Sequence, residues 1–137
     1  MKKTTIFNFV AAVTLLSGTA SANAAYFMDD YTLTKDCGAF AVYAGPNMPS
    51  EHGGVCLGFS EGVFKLHTSY TNDKSCENGG AYVGPNRPDL HGGTCIWAQG
   101  YQLKSTYTTS RSCGLNATYV GPNRPDKHGG TCLSIVE

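Results

Sequence analysis

The chain has 137 residues, 41% of them hydrophobic and 15% charged, with ten basic and ten acidic side chains and a formal net charge of zero. Low charge combined with eight Tyr, six Phe and one Trp argues against disorder, and the balanced charge gives no basis for nucleic-acid binding, which needs a clustered basic surface. The length allows one domain, two at most.

The first predicted element is an export signal over residues 1–24. Lys2 and Lys3 form a positive start, Ile6 to Leu16 is an apolar run broken only by Asn8, and Ala22-Asn23-Ala24 supplies a small-x-small cleavage pattern. The run is far short of the roughly 20 apolar residues that cross a bilayer, so no membrane span is expected after cleavage. All six Cys lie beyond Ala24. Six Cys in a small exported chain read as three disulfides, which places the mature protein outside the reducing cytosol, secreted or periplasmic.

Residues 25–137 read as one domain of three repeats, 25–63, 64–100 and 101–137. Aligned on Cys37, Cys76 and Cys113, the second Cys of each unit falls nineteen positions later, at Cys56, Cys95 and Cys132. The second-to-first intervals are 20 and 18, so length varies only outside a constant closed loop. That constancy predicts the pairs Cys37–Cys56, Cys76–Cys95 and Cys113–Cys132, one bridge per repeat. Upstream of each first Cys, Tyr-Thr recurs at 31–32, 70–71 and 107–108, and a base recurs at Lys35, Lys74 and Arg111.

Within the units the local signals are β. Phe64–Tyr70 and Tyr101–Tyr107 alternate apolar and polar residues, and shorter strands are predicted at Ala81–Val83, Thr118–Val120 and Thr94–Ala98 with its counterparts. No helical periodicity follows the signal. An open stack of three short units would be mostly cap, whereas closure lets each unit shield its neighbours. Three independent beads with one staple each are too small to fold alone. The expectation is an all-β domain in a closed pseudo-threefold arrangement, β-trefoil-like first and β-prism-like second.

Between the two Cys of each unit run GPNMPSEHGG at 45–54, GPNRPDLHGG at 84–93 and GPNRPDKHGG at 121–130. Gly-Pro at the start, a second Pro three residues later and Gly-Gly at the end predict a stiff loop, with Gly-Gly free to take positive φ and bare its amides. A rigid, outward, polar loop suits recognition because little ordering entropy is lost on binding. The candidate ligand-binding residues are Asn47, His52, Asn86, Arg87, Asp89, His91, Asn123, Arg124, Asp126 and His128, with Tyr82 and Tyr119 beside them. Unit one carries Met48 and Ser50 where the others carry Arg and Asp, so two similar sites and one altered site are expected.

These residues point first to a lectin-like module whose partner is a glycan or cell-surface polysaccharide, triplicated for avidity. The scaffold reading of the same residues has Asn capping its own turn, His bonding across the loop and Tyr forming the wall. A metal site built from one His per repeat is the sharpest alternative, but ligands at close spacing are absent and peripheral loops of a threefold domain are expected to splay from the axis. A disulfide-stapled inhibitor of a secreted hydrolase is the third. With the Cys oxidised and no nucleophile elbow, phosphate loop or zinc-protease motif present, neither an enzyme nor a cofactor is expected.

Overall fold

The computed structural model describes residues 24–77 and 79–136; apart from Ala24, the export signal read over residues 1–24 lies outside the described residues. Nine strands form among the described residues: β1 Phe27–Thr32, β2 Val42–Ala44, β3 Gly54–Phe59, β4 Leu66–Thr71, β5 Ala81–Val83, β6 Gly93–Ala98, β7 Gln102–Thr108, β8 Ala117–Val120 and β9 Gly130–Val136. Each repeat folds its three strands into its own antiparallel sheet, in the orders β1-β3-β2, β4-β6-β5 and β7-β9-β8. The third strand of each unit is therefore central. It carries the inward row that a central strand needs, with Val55, Leu57 and Phe59 alternating around Cys56 and Gly58 in β3.

The inward rows of the three sheets meet in one core. Leu57, Ile96 and Leu133 are fully buried equivalents from the three central strands, and Ala44, Val83 and Val120 add a second layer. One end is filled differently by each unit. Phe27 faces Phe59, whereas the same register positions hold Leu66 with Ala98 and Leu103 with Ile135. Phe59 makes up that volume by packing on Phe27 at 5.1 Å and edge-on to Tyr101 at 5.3 Å between ring centres.

The arrangement closes. Along the chain β2 packs on β4, β5 packs on β7 and β9, and β8 returns to β1. Backbone bonds complete the same cycle: the Asn47 N–H donates to His91 O (2.8 Å), Asn86 N–H to His128 O (2.8 Å) and Asn123 N–H to His52 O (2.6 Å). Each unit thus supplies an acceptor to one neighbour and a donor to the other. The three expected disulfides form, with Cα–Cα separations of 5.5, 5.6 and 5.5 Å, and tie the stretch after each first strand to the middle of the central strand. Each closes a loop worth about 3 kcal/mol on the chain-entropy account. Three disulfides fit a non-cytoplasmic protein. Among the described residues no helix is long and apolar enough to cross a membrane.

Two local expectations are corrected. The strand read from Phe64 begins at Leu66, because Val63–Lys65 winds into a 3-10 turn that leaves Phe64 73% exposed. The repeated GPNxP segment is not a loop throughout: it contains a single helical turn, α1 Pro49–His52, α2 Pro88–His91 and α3 Pro125–His128. Pro opens each turn, where its missing N–H costs nothing, and Gly53, Gly92 or Gly129 closes it at φ of 74° to 76°. Four residues are too few to show a helical period, so the pattern was silent.

Candidate functional site

The repeated segment is half scaffold and half surface. Pro46, Pro85 and Pro122 are fully buried, as are both glycines of each Gly-Gly pair, whereas Asn47, Asn86, the residues at 48, 87 and 124 and the polar tips beyond them face outward. The glycine amides are not bare as expected. Gly53, Gly92 and Gly129 donate to Pro49, Pro88 and Pro125 O, while Gly45 and Gly84 donate to the hydroxyls of Thr94 and Thr131 in the next unit. In unit one the corresponding hydroxyl is missing, because Val55 stands where the others have Thr.

Tyr82 and Tyr119, expected beside a ligand, are buried instead. Their hydroxyls, like that of Tyr43, donate to the carbonyl of the buried proline three residues on, and burial pushes all three phenols up in pKa. Each ring lies flat over a glycine of the next strand: a Cβ on Gly54, Gly93 or Gly130 would sit within 2.5 Å of a ring carbon. These tyrosines form the wall that holds the segment in place.

The asparagines do not take the capping role of the scaffold reading. None caps its helix, since the N-cap residues are Met48, Arg87 and Arg124 without a side-chain cap bond. Asn47 Oδ1 accepts from Lys35 Nζ and Asn86 Oδ1 from Lys74 Nζ, both at 2.7 Å. Each Lys–Asn pair borders a cleft between two units. The cleft between units one and two, about 210 Å³, sets Lys35 and Asn47 against Thr68, Ser69 and Tyr70. The cleft between units two and three, about 390 Å³, sets Lys74 and Asn86 against Ser105, Thr106 and Tyr107. Tyr70 is 62% exposed and Tyr107 59% exposed, so each offers a free ring face.

The junction of units three and one differs. Arg111 lies over the Tyr31 ring, 5.8 Å from its centre, where the other junctions have a lysine bonded to asparagine. Asp30 holds the register position of Ser69 and Thr106, opposite the second Cys of its unit, and Asp29 precedes it. Two junctions thus set a Lys–Asn pair against Ser and Thr hydroxyls, and the third has the Arg111–Tyr31 contact instead. Of the residues lining these clefts, Asn47 and Asn86 are among the candidates read from the sequence and Lys35, Lys74, Tyr70 and Tyr107 are not. The signal was present: a Tyr six residues and a base two residues before the first Cys recur in all three units.

Arg87 and Asp89 bind each other, with Nε–Oδ1 at 3.1 Å and the terminal nitrogen to Oδ2 at 2.9 Å, and Arg124 with Asp126 repeats the fork at 3.2 and 3.0 Å. The guanidinium beside each carboxyl lowers that carboxyl's pKa. These pairs lie on the exposed rim, away from the clefts' lining.

The histidines depart furthest from expectation. They do not splay: His52, His91 and His128 converge on the pseudo-threefold axis, ring centres 4.6, 4.8 and 4.9 Å apart and edge to face. The cyclic Asn-to-His backbone bonds place them there, since each fixes the end of one short helix to the neighbouring unit. Burial, and then the neighbouring imidazoles, lower the pKa of His91 and His128. Glu51 Oε1 stands 3.8 Å from His52 Nε2. As the side chains stand, no group of three or more His, Cys, Asp or Glu among the described residues is disposed to hold a metal ion. Comparison with protein-family models, with curated proteins and with solved structures found no match to this chain.

Proposed function

We propose that the protein is a secreted or periplasmic lectin-like module that binds carbohydrate in the clefts between its repeats. The observation that carries this reading is the recurrence of one polar-aromatic set at two junctions: Lys35, Asn47 and Tyr70 at the first, Lys74, Asn86 and Tyr107 at the second. An exposed tyrosine face accepts the apolar C–H face of a pyranose, while the Lys–Asn pair and the facing Ser and Thr hydroxyls present donors and acceptors to sugar hydroxyls. Such sites are shallow and individually weak. Two of them on one disulfide-braced body gain strength against a polyvalent glycan by effective concentration.

This reading moves the binding surface from the helical tips to the clefts. It keeps Asn47 and Asn86 as ligand contacts and leaves Asn123 at the third junction, where Arg111 lies over Tyr31. The fold reading moves as well, since a separate three-stranded sheet in every unit favours the prism-like architecture over the trefoil-like one. The test is a glycan array with the refolded chain from residue 25 and with a Tyr70→Ala/Tyr107→Ala variant. The wild type is expected to bind a defined glycan class and the variant to lose at least tenfold. No glycan bound by the wild type, or equal binding by the variant, overturns the proposal.

A further inference from the structure

The axial histidines are not used by the carbohydrate reading, and three imidazoles delivered to one point by three different units need a chemical account. We propose that His52, His91 and His128 form a transition-metal site, binding one zinc-like divalent ion on the axis through one nitrogen from each ring. Zn–N bonds of about 2.0 to 2.1 Å at near-tetrahedral angles place three imidazole centres about 5 Å apart. The observed separations are 4.6 to 4.9 Å, so the backbone already holds the rings at ligand spacing.

The rings stand edge to face, so binding requires each imidazole to rotate until one of its nitrogens faces the axis. The Cα frame stays fixed by the three inter-unit bonds from Asn47, Asn86 and Asn123 and by the buried prolines that open the helices. The His52 side chain is 20% exposed, so solvent reaches the triad and a fourth ligand position opens outward. Glu51 stands beside that position, whereas its counterparts are Leu90 and Lys127, so one carboxylate accompanies three imidazoles. Asp89 and Asp126 are held by their arginines and do not compete for the ion.

The experiment titrates Zn²⁺, and separately Co²⁺, into metal-free, untagged protein, following heat by calorimetry and the visible absorption of Co²⁺. One equivalent is expected, with the intense bands of four-coordinate Co²⁺. His91→Gln and His128→Gln are each expected to weaken binding at least tenfold, and His67→Ala, outside the triad, to leave it unchanged. Circular dichroism and disulfide mapping establish that each variant is folded, and should Gln not be tolerated, the wild-type stoichiometry and Co²⁺ spectrum decide alone. Absence of binding, binding that survives the triad substitutions, or loss with His67→Ala overturns the assignment. The glycan array is run with and without chelator, so the two proposals fail independently.

Discussion

Gly92→Ala tests whether contact between repeats holds the ring together. Gly92 has φ +74°, and a Cβ there would lie 2.7 Å from Asn47 Cβ of unit one, 2.9 Å from Tyr70 Cε1 and 3.2 Å from the Asn47 nitrogen. Two of those three atoms belong to the neighbouring unit and are pinned by the Asn47-to-His91 bond. With ψ at 166° the backbone lies in the extended positive-φ region, where an L-residue costs about 1 to 3 kcal/mol, and overpacking against a fixed neighbour costs about 1 to 3 kcal/mol more. Gly92→Ala should therefore lose about 2 to 6 kcal/mol. Gly100 supplies the control, since its φ is +84° but a Cβ there meets nothing within 4 Å. Gly100→Ala should lose only the cost of its own positive φ, about 1 to 2 kcal/mol. The effect of alanine on the unfolded chain is common to both variants and cancels in the difference. Urea unfolding with unchanged m-values reads that difference directly as a shift in midpoint. Equal losses in the two variants would refute the reasoning, because they would mean that the neighbouring unit yields freely.

Thr131→Val removes the hydroxyl that accepts from the Gly84 N–H and donates to Val120 O, and should cost about 1 to 3 kcal/mol by chemical denaturation. The reverse change, Val55→Thr, offers Gly121 the hydroxyl that Gly45 and Gly84 receive, and should not lower the unfolding midpoint. The pH dependence follows from His91 and His128, whose pKa values are lowered in the folded state by burial. Above about 6.5, the ordinary His value, both states are neutral and stability is complete; as pH falls below that, the unfolded chain takes up protons first and stability declines until the folded pKa is passed. Melting temperatures in chelator from pH 8 to 5 should fall more in the wild type than in His91→Gln/His128→Gln, and parallel curves would contradict this. Replacing Cys76 and Cys95 together by Ser should cost about 3 kcal/mol without altering the other two bridges, as read by unfolding and nonreducing peptide mapping.

Much of the fold was legible because the chain states it three times. The constant nineteen-residue interval identified the disulfides, and the alternation in Tyr101–Tyr107 identified a strand that forms at Gln102–Thr108. The one-turn helices were hidden because Pro and Gly, which bound them, also punctuate loops. The inward placement of Pro46, Pro85 and Pro122 was equally hidden, since it comes with a hydrogen bond from the tyrosine three residues earlier that no residue pattern displays.

The site was legible only as a set of recurring residues, not as an arrangement. Asn47 was selected for its place in the motif, but its partners come from Lys35, twelve residues upstream, and from His91 in the next unit. Clefts between repeats combine the halves of two motifs, so no single-unit pattern displays them. The convergence of the histidines is invisible in the sequence for the same reason: each hangs from a peripheral-looking segment, and the backbone bond that draws it to the axis links two repeats.

The central claim is that carbohydrate occupies the clefts between repeats. Amide and side-chain resonances of isotope-labelled protein, followed through a titration with a glycan identified on the array, test it most directly. Perturbations should concentrate at Lys35, Asn47 and Tyr70 and at Lys74, Asn86 and Tyr107, with the Arg111–Tyr31 junction quiet. Perturbations confined to the Arg87–Asp89 and Arg124–Asp126 tips, or spread without regard to the junctions, would contradict the account.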